Sequence, residues 1–154
     1  MDRRMLGSWL SGPRSFAEAA GIDLGYPGKR LGLPAQGTNS VAGFGRRFAA
    51  TMIDWILASF VVGAFAPRPS QVERLFLPPV AFALLNIALV TTIGAGIGGR
   101  VLGIRVARLD GSNPPFVSVL LRTFLMSFAV PALIWDRDGR GLHDRAAGTV
   151  VVMR

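Results

Sequence analysis

The sequence predicts an α-helical membrane protein with two transmembrane helices, a third apolar segment that re-enters or spans, and a small two-stranded cytoplasmic β-ribbon. Three observations predict it. The run from Phe48 to Ala66 holds one charged residue, Asp54, and is long enough to cross a bilayer. The run from about Leu75 to Gly98 holds none. Two short runs further on, around Ile104 and at Thr149–Met153, have the β-branched or alternating pattern of strands.

Composition narrows the classes. Of 154 residues, 51% are hydrophobic and 17% charged, fewer charges than a soluble domain carries. There is no Cys, which excludes disulfides, thiolate metal sites and thiol nucleophiles, and one His, so a metal site would need carboxylates to complete it. The net charge of +8 comes almost wholly from Arg. Because these residues flank apolar segments, topology and anionic lipid at the cytoplasmic face explain them better than nucleic acid. Met5–Leu10 is the one short apolar patch before Ser40, so no cleavable signal peptide is expected.

Residues 1–43 are rich in Gly and Pro and read as an irregular cytoplasmic tail, with one or two helical turns at Ser15–Ala20. Trp9, Leu10, Tyr26, Leu31 and Leu33 are its candidates for docking on a partner or the membrane surface. Residues 44–154 form the membrane domain, with apolar segments at about 48–66, 75–98 and 116–135. Pro67, Arg68 and Pro69 end the first. The second is entered through Pro78-Pro79 and closes on Gly94-Ala95-Gly96-Ile97-Gly98-Gly99. There Gly94 and Gly98 form a GxxxG pair, read either as a close helix-packing face or as a flexible Gly-rich helix end. Leu102, Ile104 and Val106 then alternate with smaller or charged residues, and Asp110-Gly-Ser-Asn-Pro114 is turn chemistry. The third segment contains Arg122, Ser127 and Pro131, which suit a broken, re-entrant path. Such a path keeps Arg137, Arg140, Arg145 and Arg154 on the basic side and lets the two strands meet; three full crossings are the alternative.

An ionisable group at membrane depth is normally paired and functional. Arg47 and Asp54 lie seven residues apart, two helical turns, on one face and about 10 Å apart along the axis. Depth counting sets Thr91, Thr92 and Arg122 near the level of Asp54, which predicts an Asp54–Arg122 pair with a Thr hydroxyl on a remaining lone pair. Asn86 lies deeper, as a second polar contact or a helix–helix hydrogen bond. Such a pair either fixes the packing permanently or lets Asp54 exchange it for a proton or cation. A neighbouring Arg lowers the pKa of an Asp, which favours the fixed reading. Asp136, Asp138 and Asp144 alternate with arginines, a self-neutralising turn rather than a cation site. Asp144 is expected to fix the turn before the last strand or to bond Arg100 or Arg105. Adjacent His143 and Asp144 are not expected to present side chains to one another. No phosphate loop, nucleophile elbow or zinc spacing is present, and an enzyme is the least favoured class.

These residues together resemble the RDD family of small bacterial membrane proteins, named for an Arg at the start of the first helix and two aspartates. Arg47, or Arg46, in Gly43-Phe-Gly-Arg-Arg47 matches the Arg. Asp54 in Met52-Ile-Asp-Trp-Ile56 and Asp144 in Leu142-His-Asp-Arg145 match the aspartates. Gly99-Arg100-Val-Leu-Gly-Ile-Arg105-Val106 is similar to the family's Gly-Lys/Arg block, and Arg122 fits its place. The tail Gly25–Pro34 looks like that of actinobacterial members. The resemblance covers about residues 41–154 and implies a bacterial plasma-membrane protein for which transport, including cation–proton antiport, has been proposed. The sequence itself favours an interaction or accessory component with its N-terminus inside, no cofactor, and a homo-oligomer or another membrane protein as partner. Ion or small-solute transport by an oligomer is the alternative.

Overall fold

Gly43 has no side chain to pack and an extended backbone, and from Phe44 the chain turns into helix α1, Phe44–Phe65. The computed structural model describes residues 21, 25–66, 68, 70–127, 136 and 138–154. Helix α2, Gln71–Ile93, starts at a reciprocal cap: Ser70 Oγ accepts from the Glu73 N–H, and Glu73 accepts from the Ser70 N–H at 2.7 Å. It stops at Gly94, whose φ of 74° is the left-handed cap that favours glycine. At 22 and 23 residues the two helices are each about 33–34 Å long, enough to cross a bilayer core of about 30 Å.

Only 11% and 17% of their most apolar stretches are buried by the rest of the chain. The core helix of a soluble protein would be mostly buried. Here Phe60, Phe65, Leu75, Phe76 and Leu84 point outward, an arrangement that lipid satisfies and water does not. Among the described residues these are the two helices long and apolar enough to cross a membrane.

Helix α2 begins before Pro78-Pro79 and takes in Glu73 and Arg74, because the Ser70–Glu73 cap supplies a start four residues upstream of the apolar run. It also ends five residues short of Gly98. A second short helix, α3 (Ile97–Val101), follows the break and leads through Leu102-Gly103 into strand β1, Ile104–Arg108. The GxxxG reading is thereby corrected: Gly94 caps one helix and Gly98 lies in the next, so they do not form a face on a continuous helix.

After the Asp110–Ser112 turn comes helix α4, Phe116–Ser127. Its twelve residues span about 18 Å, too short to cross a bilayer alone. Residues 128–135, which carry Pro131 and the end of the expected third segment, lie outside the described residues. Helix α5 (Leu142–Ala146) and strand β2 (Thr149–Met153) close the fold.

The two strands pair antiparallel, Ile104 opposite Met153 and Arg108 opposite Thr149. The other edge of β2 is covered too. Ala42 N–H donates to Val151 O at 2.9 Å, and Met153 N–H to Ser40 O at 2.8 Å, with a bridge between Val41 and Val152. Residues 39–42 therefore serve as a third edge, part of the ribbon rather than of an irregular tail. One face of the ribbon packs with Ala50, Val90 and Val119 of α1, α2 and α4; the other takes Leu33 and Val41. Being covered on both faces explains why β2 reads Thr-Val-Val-Val-Met without alternation. Leu33 docks on its own chain; Trp9, Leu10 and Ser15–Ala20 lie outside the described residues.

Candidate functional site

Asp144 sits in the first turn of α5 and is fully buried. Its Oδ1 accepts from Arg122 Nε at 2.7 Å, and its Oδ2 accepts from Arg47 Nη2. Arg47 Nη1 also donates to the Gly139 carbonyl at 2.7 Å, and the Thr149 hydroxyl lies 3.3 Å from Oδ1. One carboxylate thus ties α1, α4, α5 and the start of β2 together. Burial opposes ionisation of Asp144, but the guanidiniums of Arg122 and Arg47 outweigh it and hold the carboxyl well below the usual carboxylate range. The cluster is legible as a buried ionic brace: a charge left alone there would be far more costly than the paired set.

Asp54 lies two turns further along α1 and accepts from the Gly98 N–H at 2.7 Å. Gly98 is the second residue of α3, whose N-cap is Gly96. Asp54 therefore supplies, from another helix, the acceptor that the capping glycine lacks. The glycines make room for it. A Cβ at Gly96 would land on the Asp54 carboxylate, and one at Gly98 on the Ala50 carbonyl. This overturns the expected Asp54–Arg122 pair. Arg122 turns to Asp144, which is buried more deeply and already faces Arg47, while backbone N–H satisfies Asp54.

The remaining candidates divide. Arg46 reaches from α1 to the Leu102 carbonyl and Met153 Sδ. Arg105 bonds Asn39 Oδ1 at 2.8 Å and the Gly111 carbonyl at 3.1 Å, not Asp144, and Arg100 is exposed. The Thr92 hydroxyl donates to Ala88 O on its own helix, and Thr91 Oγ1 is buried without a partner, so no threonine reaches Asp54. Asn86 is buried and its Oδ1 has no partner among the described residues. In the turn, Asp136 accepts from Arg140 Nε at 3.0 Å and from two backbone N–H groups, a self-neutralising arrangement that Asp144 does not share because it pairs with Arg47 and Arg122 instead. Although sequence neighbours rarely present side chains to one another, His143 Nε2 lies 3.4 Å from Asp144 Oδ2. The ring folds back over Gly141, where a side chain would block it. Among the described residues no three His, Asp or Glu side chains converge to hold a metal ion.

Between α1, α2, α4 and the ribbon lies a cavity of about 280 Å³, reached by Arg47, Asp54, Asn86 and Arg122 and walled by Phe48, Trp55 and Phe82. The Trp55 and Phe82 rings meet across α1 and α2 with centroids 5.4 Å apart. Nothing in the linear sequence marks this space; it exists because Gly96 and Gly98 bring α3 against α1. The shared face of Arg47 and Asp54 is the one that looks into it.

The family model described as "RDD family" matches residues 69–148. The match contains Arg122 and Asp144 and begins downstream of Arg47 and Asp54. No curated protein and no solved structure matches the chain.

Proposed function

Since the chain belongs to the RDD family, which is membrane-associated, we propose that it is a small integral plasma-membrane protein acting as an interaction or accessory component rather than an enzyme. One observation carries this reading. Asp144 spends both oxygens on two guanidiniums in a fully buried setting, so the most deeply buried charge among the described residues is committed to holding elements together. A carrier needs a carboxylate that trades its partner for the cargo. The basic residues around Arg46 and Arg47, set against the poorer loop at Arg68 and Arg74, support a cytoplasmic N-terminus and ribbon in a bacterial membrane. The outward apolar sides of α1 and α2 support contact with a second copy or another membrane protein.

A second reading, cation or proton exchange by an oligomer, is favoured by Asp54. It is less buried than Asp144, has no guanidinium partner, and faces the cavity. Asp54→Asn separates the two. In proteoliposomes the accessory reading expects no ion flux from wild type, with the variant lowering abundance or partner recovery. The transport reading expects wild-type flux that the variant abolishes at unchanged abundance. A mild-detergent pull-down with mass measurement reports oligomer size and partners together.

A further inference from the structure

The brace leaves something over. Arg122 is 6% exposed and donates through Nε to Asp144, while its two terminal nitrogens, Nη1 and Nη2, have no partner among the described residues. Arg122 lines the cavity. A buried guanidinium normally spends its fork on acceptors, so one that keeps two of its three nitrogens for a partly open cavity points to a group that arrives from outside.

Charge says which kind. Arg47, Arg105 and Arg122 line the cavity, and against Asp54 on the same wall and Asp144 behind it they leave one net positive charge. Asp54, the carboxylate that lines the cavity, already takes an N–H from Gly98 and forms no ion pair with Arg122. The complement is an anion. The walls add an apolar requirement: Phe48, Trp55 and Phe82 line the cavity, and Phe48 and Trp55 are themselves exposed. Asn86 is 7% exposed, with a carbonyl oxygen that lacks a donor, which suits a headgroup hydroxyl. The volume, about 280 Å³, holds a headgroup and the first part of a chain, not a whole phospholipid.

We propose that this cavity binds one anionic amphiphile, its phosphate or carboxylate on the terminal nitrogens of Arg122 and its chain leaving between α1 and α2 past Phe48 and Trp55. The site is independent of whether the protein is an accessory component or a carrier.

The test is native mass spectrometry of the full chain in a neutral detergent, titrated with phosphatidylglycerol, oleate, phosphatidylcholine, inorganic phosphate and a long-chain amine. A single adduct with phosphatidylglycerol or oleate is expected at concentrations about tenfold below those for phosphatidylcholine. Preference for phosphatidylglycerol identifies a phosphate headgroup, and preference for oleate a carboxylate. Thr51, on α1, lines the cavity with its hydroxyl on the Arg47 carbonyl, and Thr51→Phe fills the space without replacing a charged residue, so it should weaken the adduct about tenfold while elution and melting stay as in wild type. Arg122→Lys keeps a charge for Asp144 and loses the fork; Thr51→Phe decides the matter if that variant misfolds. Equal binding of phosphatidylcholine, tighter binding of the amine, equal binding of inorganic phosphate, or an adduct indifferent to Thr51→Phe would each overturn the proposal.

Discussion

Asp144→Asn is the sharpest probe of the brace. The substitution keeps the shape of the side chain and removes its charge. Two guanidiniums, Arg47 and Arg122, each less than a tenth exposed, then face a neutral amide. One amide oxygen can still accept from one of them. The other arginine meets an NH₂ group, donor against donor, at the position where Arg47 Nη2 or Arg122 Nε now finds an oxygen. Breaking a buried ion pair by removing one partner costs about 3–5 kcal/mol, most of it the penalty of the charge left behind. For a chain of this length, about 1 kcal/mol moves the melting temperature by about 2–4 °C, so a loss on the order of 10 °C is expected. The assay is thermal melting in detergent followed by the fraction that still elutes as a monodisperse peak. The control is Arg47→Met, Arg122→Leu, Asp144→Leu together, which removes all three charges and should recover much of the loss. A single variant that melts with wild type, or a triple variant worse than the single, would refute the claim that this carboxylate holds the helices.

Other expectations follow from the same geometry. Gly98→Ala should destabilise by about 1–3 kcal/mol, since its methyl meets the Ala50 backbone rather than a yielding side chain; lowered abundance and melting temperature check it. Ser70→Ala removes the cap of α2 and should cost about 1 kcal/mol, measured by the same melt, without changing any behaviour of the charge cluster. The folded-state pKa of Asp144 lies below that of an unfolded Asp, so its stabilisation is complete above about pH 4 and is lost as pH falls further through the folded value. Melting measured down an acid series should therefore fall more steeply in wild type than in the triple variant.

The long apolar helices were legible because lipid-facing helices need only length and the absence of charge. The strands were legible as well, Thr149–Met153 to the residue, because a β-branched run with turn residues before it has few other uses. The register of the charges was not. Depth counting along separate segments compared Asp54 with Arg122 but had no way to weigh Asp144, which reaches the same level from a turn. The break after Ile93 was hidden for a related reason: Gly94 to Gly99 continues the apolar pattern, and only a three-dimensional neighbour, Ala50, explains why two of those positions exclude a side chain. His143 was misjudged because its fold-back depends on Gly141. The cavity had no linear signature at all, being a product of how closely α3 lies on α1.

The brace also sets an order of events during synthesis. Arg47 is made 97 residues ahead of Asp144, and Arg122 22 residues ahead. Both guanidiniums therefore enter their helices before the carboxylate that binds them in the finished fold exists. Arrival of a single acidic side chain converts that provisional state into the finished one, so the stretch around it works as the latch of assembly.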